Sequence, residues 1–400
     1  MTKKTRRHVD ALRGAGRLAV EATKRVTDLV EAMHRNIGSG PDVLGRPLAG
    51  PTDFLTGLVY GSIRGVTQLV GASVDLALAR LPPLLGESAP GPEREAVIAA
   101  LNGVLGDYLS ETSNPLAIQM QLCHDGHPLE LEQQALRVAL PQAAGKLLLL
   151  VHGSCMNDQQ WVRLEHDHGA ALARDLGYTP AYLHYNSGPH ISTNGRAFAV
   201  LLERLVAAWP APLDELVIVA HSMGGLVARS ACHAGEVAGH LWRRKLRKLV
   251  CLGSPHHGAP LERGGSWIDV LLDISRYSAP LGRLGRIRSA GVTDMRFGNV
   301  LDEHWEGRDR FALSGDTRSP LQLPDGVECY AIAATTALHA GGKLPGDGLV
   351  SVDSALGSHD KPELTLAFPK AHQWIGFGMG HLDLLSRAEV YETIRGWLSR

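Results

Sequence analysis

The sequence predicts an α/β fold, in which a mostly parallel sheet of roughly eight strands is flanked by helices and preceded by a helical N-terminal module. From about residue 116 onward, short apolar runs alternate with helical stretches, which is typical of strand-helix-strand units. Residues 1–115 instead show helical periodicity that is interrupted by glycine and proline. We therefore divide the chain into a helical module, residues 1–115, and a second domain, residues 116–400.

The N-terminal module contains three helical stretches. Val9–Met33 has apolar residues at helical spacing and charges on the other face, which predicts an amphipathic helix. Asp53–Leu81 is more apolar and carries glycines four residues apart, a spacing that lets another helix approach closely. Arg64 and Asp75 disfavour a membrane span there, so a buried helix or helix pair and a contact with a lipid surface remain open. The third predicted helix is Glu93–Leu109.

The composition excludes some classes of protein. The net charge of −1 comes from nearly equal numbers of acids and bases, which argues against a nucleic-acid-binding protein. The five cysteines are scattered and include no CxxC pair, so we expect buried, reduced thiols in a cytoplasmic protein. The basic N-terminus is not followed directly by an apolar run, and we expect no secretory signal.

The second domain contains the candidate strands. They are Ile118–Cys123, Pro128–Leu131, Leu147–Val151, Ala181–His184, Leu216–Ala220, Lys248–Leu252, Glu328–Ala333 and Glu363–Phe368. The first two lie close together, like a hairpin closed at Asp125-Gly126. The later strands are separated by predicted helices, among them Asp158–Leu176, Arg196–Trp209, Met223–Ala234 and Ala388–Leu398.

The candidate nucleophile is Ser222, in the segment AHSMGG at residues 220–225. A buried strand runs directly into this segment and a helix follows it. Such a tight turn forces the serine into a strained conformation and exposes its hydroxyl above the sheet. The residues two before and two after must be small: Gly224 meets this requirement, and Ala220 adds only a methyl group. The alternative, in which Ser222 merely caps a helix, is disfavoured by its position in the strand order.

The candidate oxyanion hole lies after the strand Leu147–Val151, which ends in His152-Gly153-Ser154-Cys155. Attack on a carbonyl carbon places negative charge on its oxygen, and backbone N–H groups already aimed at that position stabilise the charge. We predict that the amides of Met223 and Ser154 supply these two donors. His152 is interpreted as a residue that holds the loop by hydrogen bonds.

A serine hydroxyl needs a base, and the base needs a group that orients it. The chain has 19 histidines, and His381 is chosen because it lies in a glycine-rich loop between the last predicted strand and the final helix. Asp347 lies between two glycines after the strand Glu328–Ala333 and is the candidate acid, with Asp353 as the competitor. The order serine, aspartate, histidine along the chain is the order that α/β-hydrolases use.

With these motifs, the sequence resembles the lipase and esterase branch of the α/β-hydrolases, and within it bacterial proteins similar to glycosylphosphatidylinositol inositol-deacylases. The matching segments are 152–154 (HGS), 220–225 (AHSMGG), 252–258 (LGSPHHG), 347–350 (DGLV) and 380–384 (GHLDL). The resemblance extends from about Leu147 to the C-terminus. It implies hydrolysis of carboxylic esters of lipid-like alcohols or acyl chains through an acyl-enzyme, without a metal or organic cofactor.

Two further expectations concern the segment that follows Gly258. No strand is evident between Gly258 and Pro324, so residues 258–325 are predicted to form a lid or cap, with a plain surface insertion as the alternative. The predicted helix Trp267–Ser275 would give this lid an apolar face suited to an acyl chain.

Two pairs of neighbouring histidines are interpreted without a metal. Adjacent His256 and His257 are expected at the mouth of the site, since no nearby cysteine or acid completes a metal set. His166 and His168 are expected to form a surface cluster, because residues two apart do not share a helix face.

Two other functions remain open. The same three residues could support acyl transfer or thioester hydrolysis, and a catalytically silent fold could bind a lipid surface through its N-terminal helices. The expected partners are thus a small-molecule or lipid ester substrate and, peripherally, a membrane or lipid granule, but no nucleic acid.

Overall fold

A computed structural model describes residues 92–259, 288–310, 315–342 and 344–400 of the chain. The predicted helical stretches Val9–Met33 and Asp53–Leu81 and the lid helix Trp267–Ser275 lie outside these ranges. The predicted lid is therefore described only in part, and its described residues contain no strand.

The described residues form one eight-stranded sheet. Its strands in chain order are β1 (Gln121–His124), β2 (His127–Pro128), β3 (Lys146–Val151), β4 (Thr179–His184), β5 (Glu215–His221), β6 (Leu246–Leu252), β7 (Glu328–Thr335) and β8 (Gln373–Phe377). In space they follow the order β2-β1-β4-β3-β5-β6-β7-β8. Neighbours from β4 across to β8 are parallel, whereas β1 is antiparallel to β2 and β4. The predicted fold class, a mostly parallel α/β sheet, is confirmed.

The central strands are continuous apolar runs because both faces of the sheet are covered. Leu147 and Leu149 of β3 belong to the hydrophobic cluster on one face, and Leu148 and Leu150 to the cluster on the other. All four side chains are fully buried, and each such burial stabilises the fold by roughly 1.5–3 kcal/mol. A strand buried on both sides loses the alternating pattern of a half-exposed strand.

Helices cover both faces of this sheet. They are α1 (Pro92–Glu111), α2 (Gln133–Ala139), α3 (His168–Leu176), α4 (Ile191–Ala208), α5 (Met223–Val237), α6 (Ala290–Asp294), α7 (Val352–Ala355) and α8 (Ala388–Leu398). Helices α1, α4 and α5 contribute to the cluster that contains Leu147, and α3 and α8 to the cluster that contains Leu148. Within the described ranges, no helix has both the length and the apolar composition that a membrane crossing requires.

The helix α1 packs into the main core. Asn102, fully buried on α1, donates from its Nδ2 to the carbonyls of Ile98 and Leu116, and its Oδ1 accepts the N–H of Ile118. These bonds tie the helix to the segment that leads into β1. The helix predicted at Glu93–Leu109 is thus present and packs against the sheet, while the division of the chain at residues 115 and 116 stays a prediction.

The prediction of the last strand was wrong. Glu363–Phe368 forms no ladder; Pro362–Leu364 is a short 3₁₀ turn, and β8 begins ten residues later at Gln373. Leu366 and Phe368 are buried against the core from a loop. The alternating apolar pattern therefore indicates that these side chains are buried, not that the segment is a strand. Prolines at both ends of the segment disfavour strand pairing there.

Two other predicted elements are shorter than expected. Asp158–Leu176 is not one helix: a 3₁₀ turn covers Asp158–Trp161, and α3 begins only at His168. Between them Leu164 and Glu165 have positive φ angles, and the Asp167 side chain accepts the N–H of Ala170 as the N-cap of α3. The predicted hairpin at residues 125–126 is present, but β2 has two residues only.

All five cysteines lie in the described residues, buried and unpaired. Burial raises the pKa of the Cys155 thiol and of the Cys232 thiol to about 11. Both are therefore neutral thiols at physiological pH, as the sequence predicted for buried reduced cysteines.

Candidate active site

Ser222 lies at the sharp turn between β5 and α5. Its backbone has φ 54° and ψ −126°, a conformation that costs a non-glycine residue of order 1–3 kcal/mol. The N–H of Ser222 donates to the carbonyl of Leu252 at the end of the neighbouring β6, at 2.8 Å. The strained turn predicted from the sequence is thus present, and Ser222 is buried within it.

The turn is tight because α5 begins directly against the end of β3. A Cβ atom on Gly224 would lie 2.4 Å from the carbonyl oxygen of Val151 and 2.6 Å from that of His152. Both atoms belong to the backbone of a buried strand end and cannot move aside cheaply. Ala220 is fully buried at the other side of the turn, where its methyl group is accommodated.

The predicted oxyanion loop passes beside Ser222. A Cβ on Gly153 would lie 3.0 Å from the Cβ of Ser222, so this loop contacts the turn at its closest point. Met223 is the first residue of α5, and its N–H therefore has no acceptor within the helix. Within the described part of the chain, the N–H groups of Ser154 and Met223 make no hydrogen bond. The next residue, Cys155, has a positive φ of 60° and donates its N–H to the Ser187 hydroxyl.

His152 holds the predicted oxyanion loop by hydrogen bonds. Its Nδ1–H donates to the carbonyl of Gly153 at 2.8 Å, and its Nε2 accepts the N–H of Tyr185. The Tyr185 hydroxyl donates in turn to the carbonyl of His152, and the two rings stack with centroids 4.3 Å apart. Burial lowers the pKa of His152 to about 3, so the ring is a neutral structural group.

The structure brings His381 and Asp347 together. Nδ1 of His381 lies 2.7 Å from Oδ2 of Asp347, and both side chains are almost completely buried. The other oxygen of Asp347 accepts the N–H groups of Leu349 and Val350 at 2.9 and 2.8 Å. Because its own loop satisfies Oδ1, the carboxylate presents Oδ2 to the imidazole in a fixed direction. The competing Asp353 is exposed on α7.

The imidazole of His381 lies at the same edge of the sheet as Ser222. A Cβ on Gly253 would lie 3.2 Å from Cε1 of His381, and Gly253 follows Leu252, whose carbonyl accepts the Ser222 N–H. Nε2 of His381 is buried and has no hydrogen-bond partner among the described residues. An imidazole held at Nδ1 by a carboxylate and free at Nε2 can accept a proton there.

His256 and His257 do not lie at the mouth of the site, so that expectation was wrong. Both are buried. His257 donates from Nε2 to the carbonyl of Gly357, and His256 packs its ring on Phe368. Burial lowers the pKa of His257 to about 4 and that of His256 well below its usual range. They fasten the loop after β6 to the segments around α7.

The expectation of a surface cluster at His166 and His168 was also wrong. His168 is fully buried and donates from Nε2 to the carbonyl of Leu384 at 2.9 Å. Its Nδ1 then accepts the Nε2–H of His166 at 2.8 Å. Burial lowers the pKa of His168 to about 4. No group of three or more potential ligands arranged for a metal ion occurs within the described residues.

One residue of the site escaped sequence reasoning. His221, next to Ser222, is buried and lies with its ring centroid 4.7 Å from that of His381. The sequence shows that His221 precedes Ser222, but it does not show that the ring lies beside His381. Nothing in the local pattern therefore distinguishes His221 from the other histidines of the chain.

Comparison with known proteins agrees with this architecture. Residues 142–309 match the model of the PGAP1-like alpha/beta domain, a range that runs from just before β3 past Ser222 into the described part of the predicted lid. No curated protein matches the sequence.

Several solved hydrolases are similar in structure at low identity. The mature lipase BlEst2 of Bacillus licheniformis is 15% identical, with 70% of this chain and 97% of that chain covered and a TM-score of 0.40. Lipase B of Aspergillus fumigatus is 12% identical over 68% of this chain and 58% of that one, with a TM-score of 0.41. The esterase PF2001 of Pyrococcus furiosus is 12% identical over 65% and 83%, with a TM-score of 0.37.

The strand order and the strand-to-helix turn at Ser222 are those of the α/β-hydrolase fold. Within that fold, residues 142–309 are similar to the PGAP1-like alpha/beta domain. The predicted resemblance to α/β-hydrolases is thereby confirmed.

The close approach at Gly224 predicts a strong effect of one methyl group. Gly224→Ala should lower the free energy of unfolding by about 2–4 kcal/mol, because the new Cβ meets backbone oxygens. Gly396→Ala is the matched control: Gly396 lies exposed in α8 with nothing near its Cβ position, and alanine should stabilise the helix by about 0.5–1 kcal/mol. Urea unfolding measures both; equal stability of the two variants would contradict the close approach.

The buried neutral histidines predict acid sensitivity. The pKa values of His168 and His257 are about 4 in the folded state, whereas an unfolded histidine titrates near 6.5. As the pH falls below about 6.5, the unfolded chain binds protons first, so each residue removes roughly 1.4 kcal/mol of stability per pH unit until about pH 4. Urea unfolding between about pH 7 and about pH 4.5 should show this loss. His168→Gln should reduce the slope, and a level stability over that range would contradict the account.

Proposed function

We propose that this protein is a serine hydrolase that cleaves carboxylic esters through an acyl-enzyme, with Ser222 as nucleophile, His381 as base and Asp347 as the acid that orients the base. The proposal is supported above all by one arrangement: the buried His381–Asp347 pair at 2.7 Å, with Nε2 of His381 unpaired among the described residues, at the edge that carries the strained turn of Ser222.

In the first half of the reaction His381 takes the proton of the Ser222 hydroxyl at Nε2, and the serine oxygen attacks the ester carbonyl carbon. Asp347 stabilises the imidazolium that forms and keeps Nδ1–H directed at its own Oδ2. His381 then gives the proton to the leaving alcohol oxygen, which leaves an acyl group on Ser222. Water repeats these steps, releasing the acid and restoring the serine.

The charge on the carbonyl oxygen needs donors that are in place before the reaction. We assign this role to the N–H groups of Met223 and Ser154. Two observations support the assignment. Neither N–H group has an acceptor within the described residues, and the loop of Gly153 contacts the turn of Ser222. Loss of one such donor raises a reaction barrier by roughly 3 kcal/mol.

We further propose that the esters are lipid-like, which rests on the resemblance of the motifs to lipases. A peripheral contact of the N-terminal helices with a membrane or lipid granule, and a cytoplasmic location, belong to the same proposal. Acyl transfer and thioester hydrolysis would use the same residues and differ in the second nucleophile or in the leaving atom.

The nucleophile is tested by turnover of p-nitrophenyl esters of graded acyl length. Ser222→Ala should lower kcat by about 10⁶-fold, because the covalent route is lost. Thermal unfolding of the variant checks that it remains folded. Equal slow rates from both proteins would rule out the proposed hydrolase and favour a silent lipid-binding fold.

The acid is tested by a matched pair of aspartates. Asp347→Asn should lower kcat by about 10³- to 10⁴-fold, because an amide cannot stabilise the imidazolium and favours the wrong tautomer. Asp353→Asn, at the exposed competitor, should leave kcat within about 3-fold of the wild type. The reverse ranking, measured with the same esters, would move the role of the acid to Asp353.

A further inference from the structure

The backbone of His381 is held on both sides. Its N–H donates to the carbonyl of Asp347 at 3.0 Å. Its carbonyl lies 3.2 Å from Nε2 of His221. The candidate base is therefore bonded on one side to the residue of the acid, and on the other to the residue that directly precedes Ser222.

The second bond fixes the chemical state of His221. A carbonyl oxygen only accepts, so Nε2 of His221 carries the proton and Nδ1 has the lone pair. Burial, and then the neighbouring charge of His381, hold the pKa of His221 well below its usual value, so the ring stays neutral. Nδ1 is buried without a partner among the described residues and points towards Gly153, whose Cβ position would lie 3.2 Å away. His221 is thus wedged between the oxyanion loop and the base.

The short turn that carries the base, His381–Leu385, is also bonded to a second histidine near its C-terminal end. His168 donates to the carbonyl of Leu384 at 2.9 Å. His168 belongs to α3 and contacts the turn from the other side, whereas His221 is covalently next to Ser222. Of the two bonds, the one at His221 therefore links the turn of His381 to the residue beside Ser222.

Proton transfer requires the base within about 2.6–3.2 Å of the hydroxyl. The hydrogen bond from Nδ1–H of His381 to Asp347 sets the orientation of the imidazole ring. Asp347, however, lies on the loop after β7. The turn of Ser222 stands at the end of β5. Because Asp347 and Ser222 lie on different loops, the bond to Asp347 alone does not fix the distance between His381 and Ser222.

We propose that His221 is a positioning residue: its Nε2–H, bonded to the carbonyl of His381, sets the separation between the base and Ser222. The inference rests on the proposed function, in that it gives His221 a part in the same site. In this proposal the base is held by two hydrogen bonds: one to the carboxylate of Asp347, and one from the neutral ring of His221, which we call the tether.

Two amide variants separate this tether from the bulk of the ring. The amide nitrogen of His221→Gln reaches about as far as Nε2 and keeps the donor, whereas that of His221→Asn reaches only as far as Nδ1. His257→Gln is the control for loss of a buried histidine, since His257 also donates to a backbone carbonyl, but that carbonyl belongs to Gly357 and not to the turn of the base.

With p-nitrophenyl esters, His221→Asn should lower kcat by about 10- to 100-fold while KM changes by less than about 3-fold, because proton transfer and not ester binding is impaired. His221→Gln should recover most of that loss, and His257→Gln should keep the wild-type kcat. A loss of equal size in Asn and Gln, or no loss in Asn, would overturn the proposal.

A second measurement does not depend on ester turnover. In proton NMR, the Nδ1–H of His381 bonded to Asp347 should give a low-field signal, assigned by its absence in Asp347→Asn. We expect this signal to broaden or disappear in His221→Asn and to persist in His221→Gln. An unchanged signal in the Asn variant overturns the inference even where the enzyme is active. Conversely, the expected NMR changes in a protein without Ser222-dependent turnover would support the tether and reject the proposed function alone.

Discussion

The close approach of α5 to the ends of β3 and β5 is the constraint on which the site depends. It holds Ser222 in a strained conformation with a positive φ that costs about 1–3 kcal/mol, and the surrounding sheet offsets that cost. The bond from the Ser222 N–H to Leu252 continues the parallel register of β5 and β6 beyond the strand. Only a residue without a side chain fits at Gly224, where the helix start meets the backbone of Val151. If α5 moved away, the serine could relax, and its hydroxyl would lose the position that the proposed reaction requires.

Neutral histidines fasten several loops of the described residues. His152, His168, His221 and His257 are buried, and each bonds a backbone carbonyl through one ring nitrogen. A neutral imidazole donates one hydrogen bond and carries no charge, so it fastens a loop without adding to the electrostatic field of the site. His381 differs from these four because its Nδ1 faces a carboxylate, an arrangement that suits the proton transfer proposed for it.

Sequence reasoning succeeded where burial or backbone geometry leaves a local pattern. Continuous apolar runs predicted the strands from β3 to β7, and small residues around Ser222 predicted the turn. It failed at β8, because Gln373–Phe377 is a short strand that is mostly half-buried, while fully buried residues of the preceding loop imitate a strand. It also failed for pairs of histidines, since the partners of His168 and His257 lie far away in sequence. A hydrogen bond across such a distance depends on the finished fold and leaves no trace in the spacing of residues.

The strand order gives a physical reason why the proposed base would need more than an acid to hold it. In the sheet β5 and β8 are separated by β6 and β7, and strands about 4.8 Å apart place their ends roughly 14 Å from each other. The chain after β8 must therefore run back across two strands before His381 can approach Ser222. The contacts record this path: Gly378 bonds to the loop after β7, the His381 ring lies against the position of Gly253 after β6, and the His381 carbonyl meets His221 at the end of β5. Gly253 has a φ of 58° and no side chain, which leaves room for the imidazole on that path. Since each contact is made at the end of a different strand, we expect displacement of any one of them to shift the proposed base along the edge of the sheet, away from Ser222.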